Sequence, residues 1–285
     1  MIPFVDMATL AKFRNLPFAN EDLVGWHGNT FWLLDGASTP QRHAVPEACQ
    51  LPAMTLVQWV DQALREILSR LPQLPLDKLV CQAEGVLSER LRAHYDGRAT
   101  PQAIRRGTPH TTLTLIRRRP ESLEYLLLQD SSVLVLDKGL SMVFKDERQD
   151  SFNDAYYTRV AEVLREGDAF GRRYNAVLDA MVDREREFRN EVNGFYTFTG
   201  LLGAAEHAVY GRMGLSTEAI VVLASDGAAR WWSVFQQPKD ILAEGSLTAV
   251  LQQLRELEHA DAQGLDFPRI GRHDDATLLR LHGLP

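Results

Sequence analysis

Residues 20–36 have the sequence Asn20-Glu21-Asp22-Leu23-Val24-Gly25-Trp26-His27-Gly28-Asn29-Thr30-Phe31-Trp32-Leu33-Leu34-Asp35-Gly36. Two apolar-rich runs flank a short turn at Gly28-Asn29, a pattern that predicts a β-hairpin. A three-residue loop that starts at His27 would pair Glu21 with Asp35, and a one-residue change in the loop would pair Asp22 with Asp35 instead. Either register brings acids from both strands to one open end of the hairpin.

The acids at this open end would face each other across the strand pair, an arrangement that destabilises a sheet. A divalent cation bound between them is the simplest compensation. The alternative is an exposed hairpin end whose carboxylates are merely solvated. The stretch alone is compatible with both interpretations, so the placement of acids elsewhere in the chain decides between them.

The bulk composition is that of a soluble globular protein, with 45% hydrophobic and 24% charged residues in a chain of 285. This length fits one large domain or two smaller ones. The formal net charge of −7 makes nucleic acid an unexpected partner. The one basic run, Arg117–Arg119, precedes Pro120 and Glu121, which predicts a solvated turn.

The two cysteines, Cys49 and Cys81, lie in helix-like apolar patterns. We expect buried, reduced thiols and neither a disulfide nor a cysteine-based zinc site, which indicates a reducing compartment. Met1–Phe13 lacks the basic start and apolar core of a signal peptide, and no apolar run approaches the roughly 18 residues of a membrane helix. These observations predict a cytoplasmic protein with no membrane partner, and we expect a monomer.

Periodicity predicts a mixture of helices and antiparallel strands. Helical spacing covers residues 46–71, 76–95, 154–166, 174–189, 228–235 and 246–258. Besides the hairpin, strands are predicted at 111–117, 123–128, 132–136, 219–224 and 277–281. Residues 1–19 and 137–152 have no clear pattern, and 190–214 are ambiguous. With no internal repeat and no clear linker, we expect a single domain over 1–285, an α+β layered architecture with strands inside and helices outside.

The acidic residues share one placement, since each adjoins the start or end of a predicted strand. They are Glu21, Asp22, Asp35, Asp130, Asp226, Asp274 and Asp275. Such strand-end carboxylates can converge on one edge of packed sheets, and hard oxygen ligands suit Mg²⁺ or Mn²⁺ better than zinc. A glycine follows both Asp35 and Asp226, where it would let the backbone turn sharply and present a carbonyl. Two ions about 3.5–4 Å apart can activate a bridging water and hold a phosphoryl group.

The order of these motifs resembles that of the metal-dependent protein phosphatase 2C family. The resemblance rests on Asn20-Glu21-Asp22, Asp35-Gly36, Thr112, Asp130-Ser131, Ala224-Ser225-Asp226-Gly227 and Asp274-Asp275-Ala276-Thr277. It spans essentially the whole chain and implies a four-layer α-β-β-α sandwich of two antiparallel sheets flanked by helices. It also implies a serine/threonine phosphoprotein phosphatase, in which a water bridging a dinuclear Mn²⁺ or Mg²⁺ centre attacks phosphorus in line.

The resemblance assigns a role to each acid. Asp35 would bridge both metals, and Gly36 would offer its backbone carbonyl to one of them. Asp226 and Asp274 would complete one metal site, and Glu21 or Asp22 would hold the second ion. Asp130 resembles the carboxylate of a third, weaker site. The catalytic residues implied are Asp35, Asp226 and Asp274.

Several positions depart from the family pattern. Ala37-Ser38-Thr39 follows Gly36 where the family often has His or Met and then two glycines, so a histidine general acid is absent and metal-bound water would protonate the leaving group. His43 or His110 is a substitute, although a surface histidine without a role is the simpler expectation. Gln129 replaces the usual glycine before Asp130, which puts the third site in doubt.

The phosphate-binding arginine of the family also has no clear equivalent. Arg14 is the only arginine in that part of the chain, and it lies further from the acids than expected. The altered loop and the absence of a basic residue near the acids favour a second hypothesis, a catalytically weak or inactive binding or regulatory module. A third is a metallohydrolase of small phosphorylated metabolites. The phosphoprotein phosphatase is the main prediction because the core acid positions are all retained.

Overall fold

Two antiparallel β-sheets form the centre of the protein in a computed structural model that describes residues 5–12, 20–40, 45–201 and 203–282. The first sheet has the strand order β1 (Val5–Leu10), β11 (Ala276–Leu281), β10 (Ile220–Ala224), β7 (Ser132–Asp137) and β8 (Leu140–Phe144). The second has the order β2 (Asp22–His27), β3 (Thr30–Ala37), β5 (Leu113–Arg119), β6 (Ser122–Leu128) and β9 (Val209–Gly214), and the short β4 (His110–Thr111) also pairs with β3.

Helices cover the outer face of each sheet. On the second sheet lie α1 (Ala53–Arg70) and α2 (Leu76–Tyr95), and on the first lie α6 (Asp226–Ser233) and α8 (Leu247–Ala260). The remaining helices are α3 (Pro101–Gly107), α4 (Arg148–Arg165), α5 (Arg172–Phe188) and the short α7 (Ile241–Glu244). The predicted four-layer α+β sandwich is therefore confirmed.

Alternation along β3 explains how the layers form. Phe31 and Leu33 point into the apolar layer between the two sheets, whereas Trp32 and Leu34 point toward α1 and α2. This is the period-two pattern of a strand that is buried on both faces. Both apolar layers thus begin in the hairpin that the sequence singled out.

The strands that the sequence did not predict are all edge strands. β1 and β8 lie at the two edges of the first sheet, and β9 lies at an edge of the second. An edge strand has one unpaired side and buries less surface, and Met7, Leu140 and Tyr210 are accordingly exposed. Their apolar pattern is therefore weak, and the predictions of irregular structure over 1–19 and 137–152 were wrong at these strands.

Some local predictions also need correction. Pro52 precedes α1, so the helix starts at Ala53 rather than Pro46. The basic run is not a solvated turn, because Arg117 and Arg118 are buried in β5 and donate hydrogen bonds to Thr30 Oγ1 and the Ser216 carbonyl, both at 3.0 Å.

The two cysteines differ in their surroundings, since Cys49 is buried as expected and Cys81 is exposed. None of the helices in the described part of the chain combines the length and the apolar character needed to span a bilayer.

Candidate metal centre

The register of the hairpin sets the first pair of acids. Gly28 adopts a φ of +58° in a two-residue turn, so His27 pairs with Thr30 and Asp22 stands directly opposite Asp35. This is the second of the two registers that the sequence allowed. Two carboxylates therefore meet at the open end of the hairpin, next to the layer between the sheets.

Asp35 faces this inter-sheet layer because it shares the alternation of Phe31 and Leu33. Its backbone N–H donates to Thr112 Oγ1 at 3.1 Å, and that hydroxyl also shares a hydrogen bond of 2.8 Å with Ser131 Oγ. The residues directly before β5 and β7 thus fix the position of Asp35. The Thr112 and Ser131 positions noted in the sequence have a structural role here.

Gly36 belongs to β3 and does not form a turn. A Cβ atom at this position would lie 2.8 Å from the Glu21 carbonyl oxygen and 2.9 Å from Val57 Cγ2. Glycine is needed because the hairpin end packs closely there, with Gly36 N–H donating to the Glu21 carbonyl at 3.1 Å. The sharp turn expected from the sequence is not the reason for this residue.

The first sheet contributes the other acids through a tight junction between β10, α6 and β11. Ser225 and Thr277 exchange two hydrogen bonds, Ser225 N–H to the Thr277 carbonyl and Thr277 N–H to Ser225 Oγ. A Cβ on Gly227 would lie 2.0 Å from the Asp275 carbonyl oxygen. The glycine after Asp226 therefore permits α6 to start against β11.

These elements converge on one cleft of about 440 Å³ at the end of the sandwich. The predicted site residues that line it are Glu21, Asp35, Gly36, Asp130, Asp226 and Asp274. Asp22 is buried behind them and acts electrostatically on Asp35. Arg14 and His43 lie outside the described residues.

Burial and mutual repulsion raise the pKa of several of these carboxyls. Burial, followed by the charges of Asp22 and Asp226, raises the pKa of Asp35 well above its ordinary value, and burial with Asp226 does the same for Asp130. Burial is also the main cause that raises the pKa of Asp22 to about 7 and that of Asp274 to about 6. The end of the sandwich is an energetically costly concentration of negative charge.

Asp22 provides a test of whether the site suits a cation. Neither of its buried carboxylate oxygens has a hydrogen bond of good geometry, although the hydroxyls of Thr277 and Ser225 favour its charged form. Buried polar atoms normally have hydrogen-bond partners. Two unpartnered carboxylate oxygens beside Asp35 therefore indicate a place that suits a cation. Among the described residues, no three His, Cys, Asp or Glu side chains already stand close enough to hold an ion.

Among the described residues, Lys12 and Arg230 form ion pairs with acids at this end. Lys12 donates its backbone N–H to Asp275 Oδ1 at 2.7 Å, and its Nζ lies 3.5 Å from Glu21 Oε2 and 3.6 Å from Asp275 Oδ2. Burial opposes the charge of Lys12, but the surrounding acids outweigh burial and raise its pKa, so it stays protonated. The expectation that no basic residue lies near the acids was therefore wrong.

Arg230 is the second cation. It donates to Asp274 Oδ2 and to Glu258 Oε1, both at 3.0 Å, and Glu258 in turn accepts from Arg255 and pairs with His273 at 2.9 Å. This buried network fixes the Asp274 carboxylate. A signal for it exists in the sequence, because Arg230 follows Asp226 by four residues on one helix and so shares its face.

His110 lies in the cleft and is not a surface histidine, contrary to expectation. It pairs with Ala37 across β4 and β3, and its Nδ1 lies 3.2 Å from an Arg189 nitrogen. Burial and the charges of Arg189 and Arg186 lower its pKa well below the ordinary value. It is therefore neutral at pH 7 and has no proton to offer as an imidazolium.

Gln129, the residue before Asp130, has a backbone conformation that suits glycine. Its φ is +72°, in the left-handed region that glycine adopts without strain. Its side chain accepts a hydrogen bond from Thr197 Oγ1, and its N–H donates to Asp146 Oδ2 at 3.3 Å. These bonds hold Asp130 at the cleft despite the substitution.

Comparison with known proteins supports the fold. No model of a known protein family and no curated protein sequence matches this chain. Solved structures do match over its whole length. The catalytic domain of the serine/threonine protein phosphatase PstP, in complex with two manganese ions, has a TM-score of 0.57 and 14% identity and covers 100% of this chain and 99% of its own.

Two further structures agree. PppA, a regulatory component of T6SS in Pseudomonas aeruginosa, has a TM-score of 0.56 and 16% identity, with 100% and 99% of the two chains covered. The PPM phosphatase MsPP from Mycobacterium smegmatis, in complex with cacodylate, has a TM-score of 0.52 and 15% identity, with 100% and 99% covered. This chain therefore has the fold of PPM-type serine/threonine phosphatases, in agreement with the resemblance drawn from its sequence.

Proposed function

We propose that this chain is a metal-dependent hydrolase that removes phosphate from phosphoserine or phosphothreonine in proteins, as a divergent member of the phosphatase 2C family. The observation that carries the proposal is the convergence of carboxylates from both sheets on one cleft, with the unsatisfied Asp22 carboxylate behind it. The fold supports the same interpretation because its solved relatives are phosphatases.

One ion would be held by the β2–β3 hairpin alone, and the other by residues from both sheets. We assign Asp35 to both ions, the Gly36 carbonyl and Glu21 or Asp22 to one, and Asp226 and Asp274 to the other. Asp130 is the residue available for a third ion. All are hard oxygen donors, which suit Mn²⁺ or Mg²⁺. When bound, the two ions would supply water activation for in-line attack and charge neutralisation on the phosphoryl group.

The chain's own groups prepare the cleft for a phosphate monoester. Lys12 is a protonated amine on the cleft wall and can offset negative charge on phosphoryl oxygens. Thr112 fixes the Asp35 backbone, and Arg230 fixes Asp274. Because His110 is neutral, the leaving oxygen takes its proton from water in the cleft. Arg14 stays a prediction as a further phosphate-binding residue.

A non-catalytic binding module is the second candidate. The observation that favours it is Arg230, whose guanidinium already occupies one oxygen of Asp274, a carboxylate that a metal would need. Under this hypothesis the two protein cations would neutralise the acids permanently, and the cleft would bind a partner without turnover.

Phosphate release from a phosphoserine peptide, measured with and without Mn²⁺, separates these candidates. The phosphatase proposal predicts release that requires Mn²⁺ and is abolished by chelation. Release of phosphate from nucleotides or sugar phosphates alone would point to a metabolite hydrolase. The absence of release from any substrate at any Mn²⁺ concentration would favour the binding module.

A further inference from the structure

The same cleft has a cationic wall formed at the end of α5. Arg186 and Arg189 both line the cleft, and each is only 3% exposed. Their side chains are held by backbone carbonyls, Arg186 by those of Arg106 and Ser38 and Arg189 by that of Arg105. The wall is thus built into the fold and does not consist of mobile surface charges.

Arg189 has no acidic partner that would account for its burial. In the part of the chain that the structure describes, it makes no ion pair with a carboxylate, and its Nε has no hydrogen-bond acceptor. The nearby Glu185 carboxylate is engaged by Gln149 and Asn153. Burial and the charge of Arg186 lower the pKa of Arg189 to about 9. Glu185 is the acid that acts on both arginines, but burial raises the pKa of its carboxyl and so weakens this compensation.

The contacts of this wall differ from those of the acids in the cleft. Arg186 and Arg189 contact backbone carbonyls and His110. The acids Glu21, Asp274 and Asp275 pair instead with Lys12 and Arg230. An anion bound at the wall would therefore not replace these ion pairs.

The two sites are nevertheless close in space, although 148 residues separate Arg186 from Ser38 in the sequence. Arg186 donates to the Ser38 carbonyl at 3.3 Å, and Arg189 contacts His110, which pairs with Ala37. The wall therefore adjoins the segment that directly follows Asp35 and Gly36. One peptide in the cleft can reach both places.

We propose that Arg186 and Arg189 form a second oxyanion site, which binds a side-chain carboxylate or a second phosphate located beside the phosphorylated residue of the substrate. The inference rests on the proposed phosphatase function and names its preferred substrate class, acidic or multiply phosphorylated peptides. The planar guanidinium group suits both anions because it donates two parallel hydrogen bonds to either. Charge complementarity of this kind would determine which peptides the cleft prefers.

Matched phosphopeptides test the site in the wild-type protein. Three peptides share one phosphoserine and carry beside it either glutamines, glutamates or a second phosphoserine, and kcat/KM is measured with Mn²⁺ at low and high salt. We expect a preference of about ten-fold for an anionic peptide over the glutamine peptide, reduced by salt. The better of the two anionic peptides identifies the natural anion. Equal values for all three would overturn the proposal.

Arginine variants test whether the preference for anionic peptides arises at the wall. Arg189→Gln should bring the ratio of anionic to neutral peptide close to one, and Arg189→Lys should retain part of it. Arg173→Gln is the matched control, an exposed arginine on the same helix that does not line the cleft, and it should keep the wild-type ratio. A preference that survives in a folded Arg189→Gln protein would contradict the assignment.

A peptide-binding measurement without metal tests the anion site independently of the proposed phosphatase activity. Fluorescence anisotropy with the labelled doubly phosphorylated peptide in EDTA measures binding when no turnover occurs. Weaker binding to Arg189→Gln than to wild type would support the anion site even if no peptide were hydrolysed. Turnover without any anion preference would leave the phosphatase function standing and refute the anion site.

Discussion

Asp35 is the residue on which the proposed chemistry depends most, because it faces Asp22 across the hairpin and acts with Asp226 and Asp274 from the other sheet. Replacing Asp35 with Asn should lower phosphopeptide turnover by about two orders of magnitude or more and remove stabilisation by Mn²⁺. The metal-free variant should unfold at a higher temperature than metal-free wild type, since an amide avoids the cost of burying a carboxyl that is ionised in the unfolded chain. Phosphate release and thermal unfolding measure these effects.

Asp154→Asn is the control for this prediction, because Asp154 is an exposed aspartate on α4. It should retain both turnover and the response to Mn²⁺. Wild-type turnover in the Asp35→Asn variant would remove Asp35 from the site.

The raised pKa values predict how stability depends on pH without metal. From an ordinary 3.8, the pKa of Asp22 rises to about 7 and that of Asp274 to about 6. A carboxyl with a higher pKa in the folded chain contributes stability below its unfolded pKa, and this contribution is lost as pH rises through the folded pKa. In EDTA, the free energy of unfolding should therefore fall between about pH 5 and 8. A tenfold change in the proton affinity of one carboxyl on folding corresponds to about 1.4 kcal/mol.

Urea denaturation across this pH range measures the effect, and excess Mn²⁺ should remove it at pH 7. The lowered pKa values of Glu258 and Asp261 act in the opposite direction below about pH 4, and those of His110, His273 and His282 do so below about pH 6.5. The contribution of the acids is therefore read from the difference between wild type and Asp22→Asn, whose profile should fall less steeply between pH 5 and 8. Identical profiles for the two proteins in EDTA would contradict this prediction.

At the scale of secondary-structure elements, the end of the β2–β3 hairpin depends on the absence of a side chain at Gly36. Gly36→Ala would place a methyl group 2.8 Å from the Glu21 carbonyl oxygen, so we expect a loss of about 1–3 kcal/mol and weaker Mn²⁺ binding. Gly85→Ala, inside α2 with no atom within 4 Å of the added Cβ, should instead gain up to about 1 kcal/mol. Thermal unfolding distinguishes the two, and equal effects would refute the packing argument.

Glu258 on α8 connects this helix to α6 and to the start of β11 through buried ion pairs. Its carboxylate is buried and holds Arg230, Arg255 and His273, and Arg230 holds Asp274. Glu258→Gln should cost about 3–5 kcal/mol and weaken Mn²⁺ binding about 10–100-fold. The exposed Glu256 on the same helix provides the control Glu256→Gln, which should change neither quantity in calorimetry. Unchanged Mn²⁺ affinity in Glu258→Gln would mean that the network does not position Asp274.

The elements could be predicted to the extent that they bury a regular apolar face. The helix over Leu76–Tyr95 has the predicted bounds, because Pro75 precedes it and one face of it is apolar. The edge strands β1, β8 and β9 were missed because a strand with one unpaired, solvated side carries little periodicity. The α4–α5 hairpin was predicted in outline, but its role as a wall of the cleft depends on tertiary packing.

For the molecule as a whole, the acids were more predictable from the sequence than the cations. Strand ends converge in a sandwich, so acids that adjoin strands could be assigned to one edge from sequence alone. Lys12 and Arg189 carry no comparable signal, since only the fold brings the end of β1 and the end of α5 to the same cleft.

The proposed function requires that this end of the sandwich bind divalent ions and use them to hydrolyse a phosphoprotein. A Mn²⁺ titration should therefore follow thermal unfolding and phosphopeptide hydrolysis in the same samples. We expect the unfolding midpoint and the rate to rise together, with a stabilisation of about 2.7 kcal/mol once Mn²⁺ exceeds its Kd a hundred-fold. If Mn²⁺ changed neither the midpoint nor the rate, the proposed metal centre would be refuted.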